Sequence, residues 1–323
     1  MLSRRDVLIG AGMAGVAAIA KPVAKVFASA AQPSTPVNFD VPPGACDCHT
    51  HIFGDQKKFP LAASRVYTPE TASIAEMRSL HRTLHTSRVV IVQPSIYGTD
   101  DSCTLDAIKE LGPGARGIAA ISDDAGSAEL DRLHRGGVRG IRINLETAGQ
   151  SDPDLARHRF QAAVAQIKDR SGWHIEMYTR LSVIEAIKEQ VMASPVPVSF
   201  DHFGGAQAAL GPHQPGFDTL LSLVHRGKAY VKLSAPYRAS KQAPDYADVT
   251  PLAKALIAAN PQRLNWGSDW PHPQQIAGRP LTQITPLYQI DDGRDLNQLA
   301  SWTSGPAQLK MILVENPARL YGF

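Results

Sequence analysis

The sequence predicts an α/β fold, a single (β/α)8 TIM-type barrel, on three observations. Eight short apolar runs alternate with stretches of helical spacing from Ala45 onward, and the composition does not break between them. Runs such as Val89-Val90-Ile91-Val92 are apolar on both faces, as a parallel sheet covered on both sides requires. Polar side chains able to do chemistry fall where those runs end, which is where such barrels carry their working residues.

Taken in order, Ser3-Arg4-Arg5-Asp6-Val7-Leu8 is a twin-arginine pattern that leads into a mild apolar stretch and then Ala28-Ser29-Ala30, a small-residue cleavage site. Residues 1–30 are read as a twin-arginine signal peptide, 31–44 as a Pro-rich leader over the surface, and 45–323 as the barrel. The apolar stretch is shorter than the ~20 residues a membrane span needs, so a periplasmic mature protein with no membrane segment is expected. The chain has 33 Lys+Arg against 30 Asp+Glu, but the signal segment holds four of the basic residues and one acid. The remainder is therefore neutral, and a basic footprint for nucleic acid is absent.

The first strand is expected at 45–51, followed by an irregular segment through Tyr67 and a helix on Ile74, Met77, Leu80 and Leu84. Strand two falls at 87–93, with a helix over 103–111 that Gly112 stops; Gly112 to Gly117 opens no helix and reads as a turn rather than a phosphate loop. Strands three to five are placed at 117–121, 138–145 and 173–178, with helices over 128–134, around Phe160, Val164 and Ile167, and around Val183, Ile184, Ile187 and Val191. Strands six, seven and eight fall at 196–202, 229–234 and 263–267, with helices near Leu220, over 253–259 and over 308–313. Cys46 and Cys48 alternate with Asp47 and His49, so they are expected to face the helix layer as buried thiols; neighbours at i and i+2 are poorly placed for a disulfide.

The strand-end rule selects His49, His51, Ser95, Tyr97, Arg142, Asn144, Tyr178, His202, Ser234, Arg238, Asp269 and His272. His49 and His51 share a face because strand side chains alternate. Closure of strand eight onto strand one brings Asp269 beside them. Three histidines and a carboxylate could hold one divalent ion, or could work without metal, Asp269 taking a proton from water while imidazoles and an arginine polarise a carbonyl. His174 reads as a core residue, and His81, His85, His134, His158 and His225 as surface ones. No Gly-x-Ser-x-Gly element supports a serine hydrolase.

Asp47-x-His49-x-His51, Asp201-His202-x-Gly204, Trp266-Gly267-Ser268-Asp269-Trp270-Pro271-His272 and Glu315-Asn316-Pro317-Ala318-Arg319-Leu320-Tyr321 resemble the amidohydrolase superfamily (amidohydrolase family 2). Gln93-Pro94-Ser95-x-Tyr97-Gly98-Thr99-Asp100, Arg139-Gly140-Ile141-Arg142-Ile143-Asn144 and Trp173-His174 are similar to its branch of lactonases akin to 2-pyrone-4,6-dicarboxylate hydrolase. The resemblance implies hydrolysis of an acidic lactone, with Asp269 as general base and His49, His51 and His202 around the reacting carbonyl. Ser95, Arg142, Tyr178, Arg238 and His272 correspond to positions that hold the substrate; Tyr97 is counted with them, and Tyr67 joins from its loop. Two arginines of the pyrone-dicarboxylate enzyme are replaced here by Ala148 and Gly205, so a muconolactone or a sugar-acid lactone fits at least as well as the dicarboxylate. Asn144 and Tyr178 stand where the superfamily's dinuclear members carry Lys and His, which excludes a carboxylated-lysine bridge. The expected cofactor is none, or one divalent metal, zinc among the candidates, on His49, His51, His202 and Asp269; no organic cofactor is expected. The expected partners are the small-molecule lactone and the twin-arginine export machinery. Two other readings stay open: a zinc-dependent decarboxylase or amide hydrolase on the same barrel, and an exported organic-anion binder without catalysis.

Overall fold

The computed structural model describes residues 30–323; the twin-arginine segment lies outside the described residues. Eight parallel strands form one sheet in chain order. They are β1 (Cys46–Thr50), β2 (Arg88–Val92), β3 (Ala115–Ala119), β4 (Val138–Asn144), β5 (His174–Tyr178), β6 (Val198–Phe200), β7 (Ala229–Ser234) and β8 (Leu264–Gly267). The residues just past β8 close the barrel. The Asp269 N–H donates to the His49 carbonyl at 2.8 Å, and the His51 N–H donates to the Trp270 carbonyl at 2.8 Å. The seam therefore places Asp269 on β1 through backbone bonds, before any side chain is considered.

That seam leaves no room for a side chain at Gly267, where a Cβ would lie 2.7 Å from both the nitrogen and the Cβ of His49. Gly267→Ala is expected to cost about 1–3 kcal/mol by overpacking, read as a lower melting temperature, and to displace His49.

Where structure and sequence reading differ, local backbone is the reason. β6 stops at Phe200 because His202 and Phe203 turn to φ 49° and 55°, a left-handed conformation that cannot continue a ladder. β3 begins at Ala115, two residues early, as the turn ends at Gly114. The helix through Val183 to Val191 is broken at Ile187, and the 308–313 segment belongs to a longer helical run with one wide turn at Met311–Glu315. A helix at Asp292–Trp302, not read from the sequence, is capped by Asp291. No described helix is long and apolar enough to cross a membrane.

β1 carries an irregularity that reverses one expectation. Cys46 and Asp47 pair with Arg88 and Val89, but Thr50 pairs with Ile91, so β1 has one residue too many. Asp47 consequently turns outward to His81 (3.3 Å) and to the Ser268 hydroxyl (2.6 Å). His81 is thus buried rather than a surface residue. Cys46 and Cys48 do not face the helix layer: they pack with Val90, Val92, Ile118, Tyr230 and Tyr321, apart from the helix-facing core. Apart from His49, the barrel interior is apolar along β1 to β3, whereas β5 to β8 put His174, Glu176, Ser199, Lys232 and Asn265 into it, all buried.

The leader is a strap rather than a loose surface run. The Trp270 indole N–H donates to the Ala31 carbonyl at 2.9 Å. The Ser34 and Thr35 hydroxyls donate to the Asp291 carboxylate at 2.7 and 2.6 Å. Asn297 then accepts from the Asn38 N–H and donates to the Pro36 carbonyl.

Candidate active site

The strand ends converge on Asp269, which is buried and sits at φ 66°. Its Oδ2 is fully occupied: the Tyr237 hydroxyl donates at 2.6 Å and Arg238 Nε at 2.7 Å. Its Oδ1 has no hydrogen-bond partner among the described residues. Around it stand His51 Nε2 at 3.2 Å, His49 Nε2 at 3.5 Å and His202 Nε2 at 3.9 Å. Burial alone would raise the Asp269 carboxyl, but the Arg238 guanidinium, with the histidines, holds it well below the usual carboxylate range. Asp269 is therefore an anion with one oxygen anchored and the other free.

Each imidazole is oriented by its second nitrogen. His51 Nδ1 lies 2.7 Å from the Val92 carbonyl, which can only accept, so Nδ1 carries the hydrogen and Nε2 presents a lone pair. His202 Nδ1 lies 2.9 Å from the Ser234 hydroxyl. His49 Nδ1 faces Lys232 Nζ at 3.1 Å and Asp201 Oδ1 at 3.3 Å.

Above this cluster opens a cavity of about 190 Å³, lined among others by His51, Ser95, Arg142, Tyr178, His202, Arg238 and Asp269, with Tyr67 from the loop after β1. Arg142 is buried, its NH1 donates to the Gln93 carbonyl at 2.5 Å, and it has no carboxylate partner among the described residues. A buried guanidinium without a counterion marks the place for an anion. Burial pushes the Tyr67 phenol up to about 12, so it stays a neutral hydrogen-bonding group.

Two expected substrate contacts lie elsewhere. Tyr97 does not line the cavity; its hydroxyl turns back to accept from the Gly54 N–H at 2.9 Å. His272 also lies outside the lining, where its Nε2 contacts Asp292 at 3.0 Å and its ring meets the edge of Tyr237. Both pack outside the residues that line the cavity. His49 lies one layer beneath the cavity.

Comparison with known proteins identifies the family. The amidohydrolase family model matches residues 46–323. The chain belongs to the amidohydrolase family. It is 32% identical to the 4-sulfomuconolactone hydrolase of Hydrogenophaga intermedia, over 89% of this chain and 91% of that one. It is 32% identical to the 2-pyrone-4,6-dicarboxylate hydrolase of Comamonas testosteroni, over 90% and 94%. A solved structure from Pseudomonas putida, assigned as a 2-pyrone-4,6-dicarboxylic acid hydrolase, superposes with a TM-score of 0.72 at 30% identity, covering 88% of this chain and 98% of that one.

Whether this amidohydrolase's cluster fits a metal is decided by its lone pairs. His51 Nε2 and Asp269 Oδ1 face each other at 3.2 Å with no hydrogen assigned between them, and His49 Nε2 is buried without a partner. Two acceptors at that distance repel unless a proton or a cation lies between them. The donor set His49, His51 and Asp269 gathers within the span that ligands of one ion share, so the residues fit a single divalent ion.

Beneath His49 lies a charged layer that the sequence reading passed over. Lys232 Nζ sits 2.5 Å from Glu176 Oε2 and 3.4 Å from Asp201 Oδ1, all three buried. Burial alone would lower the Lys232 ammonium, but Glu176 and Asp201 hold it above its ordinary value. Period-2 alternation pointed to this layer: Glu176 and Lys232 stand two residues before Tyr178 and Ser234 on the same inward faces. Glu146 and Thr147, in the loop after β4, also line the cavity without having been singled out.

Burial lowers the imidazoles of His49, His51 and His202, the last to about 4. Held below their unfolded value of ~6.5, they are neutral above it, and their share of stability is lost as pH falls toward 4. Burial raises the Asp101 and Asp295 carboxyls, which act in the opposite sense, so the imidazoles are better read by activity than by melting. The rate is expected to stay level through pH 6.5 and to fall only nearer 4; an acid limb at 6.5 in a pH–rate profile would contradict neutral, buried imidazoles.

Proposed function

We propose that this protein hydrolyses the ring ester of an acidic small-molecule lactone. The observation that carries the reading is the free Oδ1 of an ionised Asp269 facing, across one cavity, a buried Arg142 that lacks a counterion. Arg142 binds the substrate's acid group and sets the ring, with Ser95 and Tyr178 beside it. A water between Asp269 Oδ1 and the ester carbon gives its proton to that oxygen as the C–O bond forms. The tetrahedral intermediate then collapses, the ring C–O bond breaks, and Asp269 returns the proton to the leaving oxygen. Arg238 and Tyr237 hold the carboxylate in place and keep it ionised; this weakens it as a base, so its contribution rests on position. A divalent ion held by His49, His51 and Asp269, with His202 beside them, would supply positive charge for the carbonyl oxygen. The twin-arginine pattern supports a periplasmic site of action.

The test is proton release from the purified mature protein with pyrone dicarboxylate, substituted muconolactones and aldarolactones at neutral pH, one arm containing chelator. Release from one of them is the expected result. Carbon dioxide or ammonia release from other substrates would move the assignment to a decarboxylase or an amide hydrolase, and tight binding without turnover to an anion-binding protein. Loss of activity in the chelator arm, restored by metal, would show that the cluster works with an ion.

A further inference from the structure

A second compartment of about 420 Å³ adjoins the first, and the two share Glu146, Tyr178, His202 and Arg238 as walls. Charges in the two compartments pair off unevenly. Arg238 is matched by Asp269 at 2.7 Å. Glu146 is matched by Arg180 in a bidentate contact at 2.9 and 2.7 Å. Arg142 alone among the lining cations has no carboxylate partner within the described residues. The lining therefore offers one uncompensated positive charge, Arg142, while Glu146 and Arg180 cancel each other.

Arg180 lines the second compartment, but Glu146 engages it, and the floor beside it cannot supply another cation. Gly205 sits at φ 77°, and a Cβ there would lie 2.5 Å from the Thr179 carbonyl oxygen and 2.8 Å from the Arg180 Cα. Any side chain at this position would have to displace backbone. The other polar side chains of the second compartment, Thr179 and Gln207, are neutral. Such groups favour hydroxyls over a second carboxylate.

We infer that the substrate carries one anionic group, at Arg142, and a neutral hydrogen-bonding arm in the second compartment, where Glu146 engages Arg180 and so leaves no free cation for a second anion. The inference rests on the lactonase reading and deepens it: it points to a hydroxylated mono-acid lactone rather than to a dicarboxylate such as the one in a relative's name. Glu146 acts on choice of substrate by occupying Arg180, and its effect belongs in KM rather than kcat.

Binding of two non-hydrolysable probes by calorimetry tests this without requiring turnover. 3-(Hydroxymethyl)benzoate and benzene-1,3-dicarboxylate share a ring and differ in whether the second group is neutral or charged. The wild-type protein is expected to prefer the hydroxymethyl probe. E146Q removes the anion and frees Arg180, so it should tighten the dicarboxylate about tenfold while changing the mono-acid by less than about twofold. R180Q should leave Glu146 uncompensated and sharpen the preference for the mono-acid. A wild-type preference for the dicarboxylate, or an E146Q effect equal on both probes, would overturn the inference. Charge selection in this assay with no proton release from any lactone would instead overturn the hydrolase reading and leave the inference standing.

Discussion

Asp269→Asn should lower kcat by about three orders of magnitude, within the 10²–10⁴ that a positioned base contributes. The substitution keeps the shape of the side chain and a group able to meet Tyr237 or Arg238, but removes the proton acceptor at Oδ1. The Arg238 charge loses its partner, so some stability goes too, about 1–3 kcal/mol. The two effects separate cleanly. Near-ultraviolet circular dichroism should stay close to wild type while steady-state turnover disappears. Turnover within tenfold of wild type in a folded D269N protein would remove Asp269 from the chemistry and move attention to the imidazoles.

The second large effect concerns stability. Lys232 is enclosed by Glu176 Oε2 at 2.5 Å, Asp201 Oδ1 at 3.4 Å and His49 Nδ1 at 3.1 Å, with no solvent contact. Lys232→Met leaves two carboxylates facing each other in the barrel interior. Removing one partner of a buried ion pair typically costs about 3–5 kcal/mol, mostly from the charge left behind. Replacing both, as in K232M/E176M, should recover a good part of that loss because an apolar pair fills the space without desolvating charge. Urea unfolding midpoints of the wild type and the two variants measure this. A single-variant loss below about 1 kcal/mol would mean that these charges are not buried against one another. K232M also removes the group facing His49 Nδ1, so its kcat should fall even in protein that remains folded.

The sequence exposed the barrel because period-2 and helical spacing are both written in apolar residues, and each of the eight strands overlaps its expected position. The residues gathered around the cavity were legible for the same reason, since His51, Ser95, Arg142, Tyr178, His202, Arg238 and Asp269 all follow strand ends. What stayed hidden depends on local backbone. The extra residue in β1 turned Cys46 and Cys48 into the barrel and Asp47 out of it, which strict alternation could not foresee. The left-handed turn at His202 shortened β6. Tyr97 and His272 occupy strand-end positions, but hydrogen bonds pull both away from the cavity. Lys232 reads as a lone charge in an apolar strand until its neighbours across the sheet are known.

The strap from Ala30 to Asn38 has a temporal consequence. Ala30 is 1% exposed, and the Ala31 carbonyl is held by Trp270, the neighbour of Asp269. A peptidase that cuts after Ala30 needs several residues in extended form in its cleft, which a docked strap does not offer. Were the chain cut after Ala30, the cut would have to come before the strap settles or while it is lifted from Trp270. The strength of the strap's contacts with Trp270, Asp291 and Asn297 would then set how readily such a cut is made.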